Sequence, residues 1–200
     1  MEMEFQGVAF QASGAVNEDL SITMGEGRGS RAWYVDFMKL MVVRANGFLG
    51  SVAEGGAVNF RDVQFNPHGN GTHTECLGHI SPEAHSVNEL TFPILLPCLV
   101  VSVFPEARDG DQVITERELA LSISQHWSVQ STLPPAIIIR TLPNDKSKVG
   151  RNWSNTNPPY FTVDFMDALV RQGVEHLLVD LPSVDREVDG GRLEAHHAFW

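Results

Sequence analysis

The 200-residue sequence predicts an α/β fold, or a mixed α+β fold, for a single domain that spans residues 1–200. Two stretches of the second half run from strand to helix to strand, the order that produces a parallel sheet with helices packed on it. The first third contains short segments with the alternating pattern of strands. Because no internal repeat or Gly/Ser-rich linker interrupts the chain, one domain is expected.

Three segments of the first third carry the strand pattern. MEFQGVAFQ at residues 3–11 alternates apolar and polar positions, and LSITM at 20–24 is a shorter candidate. AVNFRDVQF at 57–65 repeats its apolar residues near the two-residue period of a strand. These segments predict a β-rich first half.

Two continuous β-branched runs, at residues 96–104 and 136–141, predict central strands that are buried on both faces. Between them, ERELALSIS predicts a helix over 116–124. Thr115 and Glu118 have the spacing of a capping box, in which two side chains satisfy backbone N–H groups at the start of a helix. Together these elements form the first strand–helix–strand passage.

The second passage follows the run at 136–141. Residues 163–173 place apolar side chains at helical spacing, with Thr162 at the predicted start and Gly173 at the predicted stop. VEHLLVD at 174–180 then predicts another strand. The helix and strand complete the argument for a mixed or parallel sheet.

Composition excludes several classes of partner. With 25 acidic and 14 basic residues, the formal net charge of −11 repels nucleic-acid phosphates and anionic membrane surfaces. No apolar run approaches the roughly 20 residues of a membrane span, and the first residues lack the positive charge of a signal peptide. Cys76 and Cys98 are too few for a disulfide scaffold, which favours a reducing compartment. We therefore predict a cytoplasmic protein without nucleic-acid or membrane partners.

Residues 66–80, NPHGNGTHTECLGHI, concentrate three histidines, a glutamate and a cysteine among turn-forming residues, without lysine or arginine. His73 and Glu75 are two apart, so they leave the same face of an extended backbone, whereas Glu75 and His79 are four apart, which suits a helical turn. Imidazole and carboxylate ligands suit Zn²⁺ or Mn²⁺, and three protein ligands leave one position open for water. The loop therefore predicts a catalytic metal site.

Other polar residues have simpler interpretations. His68 and His85 are expected to be solvated turn residues, and Cys76 is expected to be a small buried apolar residue. In VDLPSVD, Asp180 and Asp185 have two interpretations that the sequence leaves open. They are either acids and hydrogen-bond partners of a metal-bound histidine, or turn formers beside proline and serine.

The stretch GTHTECLGH resembles the H-x-G-T-H-x-D-x-P-x-H signature of the cyclase family, which includes bacterial kynurenine formamidase and isatin hydrolase. NPPYFTVDFMDALVRQGVEHLLVDLPSVD, followed by LEAHHAFW, is similar to the family's helix, strand, D-x-P-S-x-D segment and downstream histidine. The resemblance runs from around Val58 to Trp200. It implies a swivelling β/β/α domain with a mixed central sheet flanked by helices, usually dimeric, which binds one or two divalent metals and hydrolyses amide-like or lactam bonds.

By position, the resemblance assigns four metal ligands: His73, Glu75, His79 and His196. Glu75 stands where the family has its metal-bridging aspartate, and His196 matches the C-terminal histidine, with His197 beside it. Either His79 or His196 is expected to be the catalytic residue that accepts and returns a proton. The resemblance also implies a small-molecule substrate and a homodimer or higher homo-oligomer.

The sequence departs from the family pattern in several places. The family's first histidine falls on Gly69, with His68 displaced by one, and Leu77 replaces a proline. The extra methylene of Glu75 relative to aspartate moves the carboxylate outward, which requires a shifted ion or a wider cavity. In the family a further carboxylate or amide ligand follows the C-terminal histidine. The chain, which ends at Trp200, is therefore expected to be truncated at its C-terminus.

These observations predict a metal-dependent hydrolase of C–N bonds other than peptide bonds. Its substrate would be an aryl formamide, a lactam or a related cyclic amide, attacked by a metal-activated water. The alternative is a catalytically impaired cyclase-like module that binds metal or ligand without turnover. The departures favour the module. The presence of His73, His79 and His196 favours the enzyme, because unused polar groups in a pocket cost stability.

Overall fold

The computed structural model describes residues 2–5, 7–11, 18–124, 127 and 132–200. Its strands, in chain order, are β1 (Glu2–Phe5), β2 (Val8–Gln11), β3 (Lys39–Val42), β4 (Arg44–Ala45), β5 (Phe48–Leu49), β6 (Arg61–Gln64), β7 (Cys98–Val103), β8 (Glu106–Arg108), β9 (Asp111–Ile114), β10 (Ala136–Thr141), β11 (Tyr160–Phe161) and β12 (His176–Val179). The α-helices are α1 (Pro67–Asn70), α2 (Glu116–Ser124), α3 (Val163–Arg171) and α4 (Glu194–Phe199), and 3₁₀ turns lie at Val52–Glu54, Leu77–His79, Val87–Glu89 and Lys146–Gly150. None of the described helices combines the length and apolarity that a transbilayer helix needs. The predicted mixed α/β class is confirmed, with the strands divided among several small sheets.

The chain forms two compact units. The first unit contains Met1–Asp19, Thr74–Asp145 and Asn155–Trp200. The second unit contains Leu20–His73 and Lys146–Ser154. Both predicted strand–helix–strand passages therefore lie in the first unit.

The central sheet of the first unit has the strand order β12-β10-β7, and both neighbouring pairs are parallel. Ala136 on β10 lies in register with Cys98 on β7 and with His176 on β12. The two passages thus return each strand in the same direction, as the sequence predicted. A second sheet, β11-β9-β8, combines one parallel pair and one antiparallel pair.

One face of the central sheet forms the core of the first unit. Val101 and Ile139 on this face are fully buried, and α3 supplies the fully buried Phe165 to the same cluster. Val100, which points to the opposite face, is 57% exposed. The prediction that these strands are buried on both faces is therefore wrong for β7, because the core helices contribute to one face.

The predicted helix boundaries are correct, but the predicted cap is not. The hydroxyl of Thr115, directly before α2, is buried and has no hydrogen-bond partner, so the capping box with Glu118 is not formed. At the start of α3, the Thr162 hydroxyl donates to the carbonyl of Ile114 (3.3 Å) and caps no helical N–H group. Gly173 follows α3 with a φ of 80°, a left-handed conformation that glycine adopts without strain and that ends the helix.

The N-terminal segment of the first unit differs from the predicted single strand. Residues 3–11 belong to an antiparallel hairpin of β1 and β2. Gln6 lies outside the described residues, and Gly7 reverses the chain with a φ of 77°. The alternating pattern therefore identified strand residues correctly but did not locate the turn.

The second unit contains short antiparallel pairs. β3 pairs with β6, and β4 pairs with β5 through Asn46 and Gly47, which both have positive φ, as this type of tight hairpin turn requires. The strand predicted at 20–24 is absent from this described segment. Its Ile22 N–H donates to the Thr72 side-chain oxygen (3.0 Å) instead of to a neighbouring strand.

Replacement of Phe165 by alanine tests the core of the first unit. Because this side chain is fully buried between α3 and the sheet, we expect Phe165→Ala to lower the free energy of unfolding by about 3–5 kcal/mol. Val163→Ala, at a position in the same helix that is 41% exposed, should change it by less than about 1 kcal/mol. Urea unfolding followed by circular dichroism measures both values, and equal losses would contradict the assigned core face.

Candidate metal centre

The histidine-rich loop is divided between the two units. The first segment of the second unit ends at His73 and contains His68, whereas the first unit resumes at Thr74 and contains Glu75 and His79. His196, on α4, also belongs to the first unit.

The turn Leu77–His79 brings the side chains of Glu75 and His79 close together, as their four-residue spacing predicted. The His79 N–H donates to the Cys76 carbonyl (2.9 Å), which closes a 3₁₀ turn. Gly78 is required by packing, since a Cβ atom at this position would lie 2.1 Å from the carbonyl oxygen of His85. The glycine thus serves a close backbone contact within the loop.

His196 is positioned by a carboxylate from an earlier segment. Asp185 accepts hydrogen bonds from the backbone N–H groups of Ala195 (2.7 Å) and His196 (3.2 Å) at the start of α4. The Asp185 and His196 residues are each 7% exposed, and Ala195 belongs to the buried core. The beginning of α4 is therefore held at the core.

Glu75 lies between two imidazoles. One of its carboxylate oxygens is 3.8 Å from Nε2 of His79, and the other is 3.5 Å from Nε2 of His196. One donor atom from each of the three residues lies within 4.8 Å of the other two. The imidazole rings of His79 and His196 are 5.4 Å apart between centroids. The fold thus brings together residues separated by more than 110 positions in the sequence.

The donor set fits a divalent metal ion. Two ligand atoms on one tetrahedral ion, each about 2.1 Å from it, are about 3.4 Å apart, close to the observed 3.5 and 3.8 Å. Two imidazole nitrogens and a carboxylate suit Zn²⁺ or Mn²⁺. Glu75, His79 and His196 can therefore hold such an ion with small adjustments of their side chains.

The second nitrogen of His196 is also engaged. Its Nδ1 lies 2.5 Å from Oδ2 of Asp185, so the Nδ1–H group donates a hydrogen bond to this carboxylate. The other ring nitrogen, Nε2, faces Glu75. A carboxylate that fixes the tautomer and orientation of a ligating histidine is a common feature of metal sites. Of the two interpretations of Asp185, the structure supports a hydrogen-bond partner of a candidate ligand. Asp180 instead accepts a hydrogen bond from the Thr141 N–H (3.0 Å).

The two carboxylates determine the protonation of His196. Burial by itself would lower the pKa of the imidazole, but the hydrogen bonds and charges of Asp185 and Glu75 raise it to about 9. Burial would raise the pKa of Asp185, but the hydrogen bonds from His196 and from the backbone hold it below its usual value. In the metal-free protein, His196 and Asp185 therefore form a buried ion pair at neutral pH.

The two histidines of the second unit contact each other. The rings of His68 and His73 lie 4.9 Å apart between centroids. His73 Nδ1 lies 2.9 Å from the Gly71 carbonyl oxygen, an arrangement in which Nδ1 carries the proton and Nε2 the lone pair. The assignment of His73 as a ligand of the same ion as Glu75 stays a prediction.

Position 69, where the family carries its first histidine, has no space for a side chain. A Cβ atom on Gly69 would lie 2.5 Å from Cγ2 of Val35 and 3.0 Å from the carbonyl oxygen of Ala32. The Gly69 carbonyl also accepts a hydrogen bond from the Ala32 N–H (2.9 Å). The departure from the family pattern therefore has a packing cause in the second unit.

His85, His197 and Cys76 do not belong to the donor group of Glu75, His79 and His196. His85 is exposed, in agreement with its predicted solvated role, and His197 is exposed as well. Cys76 is only partly buried, and its thiol donates to the His85 carbonyl (3.6 Å), so its expected full burial is wrong. Asp185 is the site residue whose role the sequence left open, and its spacing from His196 in VDLPSVD and LEAHHAFW was the available signal.

We expect the stability of the metal-free protein to depend on pH through His196. Because its folded-state pKa is raised from 6.5 to about 9, the stabilisation is fully present below pH 6.5 and is lost as the pH rises through about 9. With chelator present, the difference in unfolding free energy between wild type and His196→Gln should decrease by on the order of 2–3 kcal/mol over that range. A difference that does not change with pH in urea unfolding would contradict the ion pair.

Gly78→Ala tests the close backbone contact of the loop. The added methyl group would overlap the His85 carbonyl, so the loop must shift, and we expect a loss of about 1–3 kcal/mol in unfolding free energy. Gly150→Ala is the control, because its added Cβ atom would contact nothing within 4 Å. Equal thermal stability of the two variants would show that Gly78 is not needed for packing.

Residues 18–186 match the family model described as "Putative cyclase". The matched span includes Glu75, His79 and Asp185 and ends before His196. No curated protein matches the sequence. Because the family model covers most of the chain, the protein belongs to the cyclase family.

Proposed function

We propose that this cyclase-family protein is a metal-dependent hydrolase that cleaves an amide-like C–N bond of a small molecule. The observation that carries the proposal is the position of the Glu75 carboxylate between Nε2 of His79 and Nε2 of His196. The substrate classes that we propose are aryl formamides, lactams and related cyclic amides. Family membership supports an enzyme, and the donor group supports a metal site.

Glu75 and His196 are proposed metal ligands, and His79 is proposed either as a third ligand or as the residue that transfers protons. Zn²⁺ or Mn²⁺ is the proposed ion. When bound there, such an ion would polarise the scissile carbonyl and lower the pKa of a coordinated water to about 7. His73 is proposed as a further ligand. The contact between the His68 and His73 rings supports His68 as the residue that replaces the family's first histidine.

Exposure and hydrogen bonding support different roles for His79 and His196. The His196 side chain is 8% exposed and is held at Nδ1 by Asp185, so it is suited to a fixed ligand. The His79 side chain is 31% exposed, and histidine is the side chain best suited to proton transfer near neutral pH. We therefore assign proton transfer to His79 and metal ligation to His196, because an imidazole nitrogen that is bound to an ion has no lone pair left to accept a proton.

In the proposed reaction, His79 accepts a proton from the attacking water as the water oxygen bonds to the carbonyl carbon. His79 then donates this proton to the leaving nitrogen as the C–N bond breaks. The products are a carboxylate and an amine. For a lactam, both groups remain on one ring-opened molecule.

The first test is metal content together with hydrolysis. We expect purified wild-type protein to bind about one or two Zn²⁺ or Mn²⁺ ions per chain by elemental analysis, since these sites hold one or two metals. Glu75→Gln removes the charged ligand between the histidines and should weaken metal binding by at least about 10-fold. Glu83→Gln makes the same charge change at an exposed position shortly after the loop and should bind metal like wild type.

Hydrolysis of N-formylkynurenine and isatin, with and without chelator, tests the reaction itself. His79→Asn should lower kcat by about 100-fold or more, and His73→Ala should reduce bound metal. If the folded wild-type protein binds no metal, the hydrolase proposal fails. If it binds metal without hydrolysing these substrates or related amides, the alternative of a cyclase-like binding module takes its place.

We also propose that the protein acts in the cytoplasm as a homodimer or higher homo-oligomer. The two cysteines, Cys76 and Cys98, are both free thiols, which supports a reducing compartment. The dimer rests on the resemblance to the family. Light scattering on the purified chain measures the oligomeric state, and a monomer at micromolar concentration would contradict it.

A further inference from the structure

Asp185 makes two kinds of contact with α4 at the same time. Its Oδ1 accepts the Ala195 N–H (2.7 Å), and its Oδ2 accepts the His196 N–H (3.2 Å). The same Oδ2 lies 2.5 Å from His196 Nδ1. One carboxylate thus contacts both the backbone at the start of the helix and the side chain that faces Glu75.

We propose that Asp185 is a positioning residue that couples the docking of α4 to metal binding, by holding the helix start and the His196 imidazole in one fixed arrangement. The inference rests on the proposed metal site at Glu75 and His196. Asp185 itself does not touch the ion in this proposal. It acts through His196.

The backbone at the start of α4 explains why an outside carboxylate is needed. Leu193, directly before the helix, has a left-handed conformation (φ 47°) and provides no side-chain cap. The first N–H groups of a helix lack partners within the helix, so they need an acceptor when they are buried. Asp185, ten residues earlier in the chain, supplies that acceptor at a position where Ala195 is 1% exposed.

Asp185 is itself held in place. Its N–H donates to the Ser183 hydroxyl (3.1 Å). The preceding residue, Val184, accepts the Phe161 N–H (2.9 Å) through its carbonyl and packs against the buried core. The backbone that carries this carboxylate is therefore held to the core by contacts that do not involve α4.

Helical geometry makes the arrangement specific. Successive side chains on an α-helix are about 100° apart. A shift of one residue would therefore turn His196 away from Glu75 and point the exposed His197 toward it. The bonds from Asp185 to Ala195 and to His196 permit one register of the helix. Binding of an ion by His196 should in turn stabilise that register, because the ligand and the helix move together.

Asp189 provides a matched control for a role that is only structural. Its carboxylate also accepts two backbone N–H groups just before α4, those of Gly191 (2.7 Å) and Leu193 (2.7 Å). Both residues are aspartates that cap the same region of the chain. The contact with the His196 imidazole distinguishes Asp185 from Asp189.

The test compares wild type, Asp185→Asn, Asp185→Glu and Asp189→Asn in the full chain. Zn²⁺ affinity is measured by calorimetry, the geometry of a bound ion by the visible spectrum of Co²⁺, and the protection of α4 by hydrogen exchange with and without Zn²⁺. We expect Asp185→Asn to lower Zn²⁺ affinity by about 10- to 100-fold, to alter the Co²⁺ spectrum, and to lose most of the Zn²⁺-induced protection of α4. Asp189→Asn should lower α4 protection while retaining the wild-type affinity and spectrum.

The outcomes separate the inference from the proposed function. If wild type binds neither ion, the proposed metal site fails and the inference fails with it. If wild type binds metal but Asp185→Asn matches Asp189→Asn in affinity and spectrum, Asp185 is only a helix cap and the inference alone fails. If Asp185→Asn does not fold, the Co²⁺ spectrum of Asp185→Glu tests the inference instead. Its carboxylate keeps the charge but is displaced from Nδ1, so an altered Co²⁺ spectrum is expected and a wild-type spectrum would overturn the inference.

Discussion

The burial of one face of the parallel sheet is the interaction on which the candidate site depends. Ile137 and Ile139 on β10 are fully excluded from solvent together with Phe165 and Met166 of α3, and burial of such side chains is the main favourable term in folding. This packing fixes β12 and therefore the start of the segment that leads to Asp185. Ala195 joins the same core from α4, so hydrophobic burial brings both ends of the Asp185–His196 contact to one place.

The charges of Asp185 and Glu75 control the protonation of the buried His196. Asp185 and Glu75 lie on opposite nitrogens of the His196 ring, and their combined effect outweighs the burial that would otherwise keep the imidazole neutral. In the metal-free protein a proton balances part of this negative charge. A divalent cation bound at Glu75 and His196 would replace this proton, because Nε2 of His196 must lose its proton before it can be a ligand.

The departures from the family signature have different physical consequences. Glu75 has a longer side chain than aspartate, and in this fold its two oxygens face two different imidazoles. At position 69 the backbone packs so closely against Ala32 and Val35 that no side chain fits. One change therefore alters the geometry of a ligand, whereas the other removes a side chain from the second unit altogether.

The sequence by itself determined the elements whose signal is local. The parallel passages, the ends of α3 and the concentration of ligand side chains in the loop follow from apolar periodicity, from Gly173 and from the spacing of Glu75 and His79. Local patterns also misled, since Thr115 has the spacing of a capping box but its hydroxyl is buried without a partner. The segment at 20–24 alternates like a strand, but its Ile22 N–H is bonded to Thr72.

Only the tertiary structure decided which residues act together. Glu75 and His196 are far apart in the chain but close in the fold. The stretch VDLPSVD fits a turn equally well, and only the contact of the Asp185 carboxylate with His196 assigns Asp185 its role. The family resemblance pointed to His196, but the order of VDLPSVD and LEAHHAFW in the sequence did not decide whether the Asp185 carboxylate contacts its second nitrogen. Long-range contacts depend on packing of the whole core, because the start of α4 packs through Ala195 against the same buried residues of the sheet and α3.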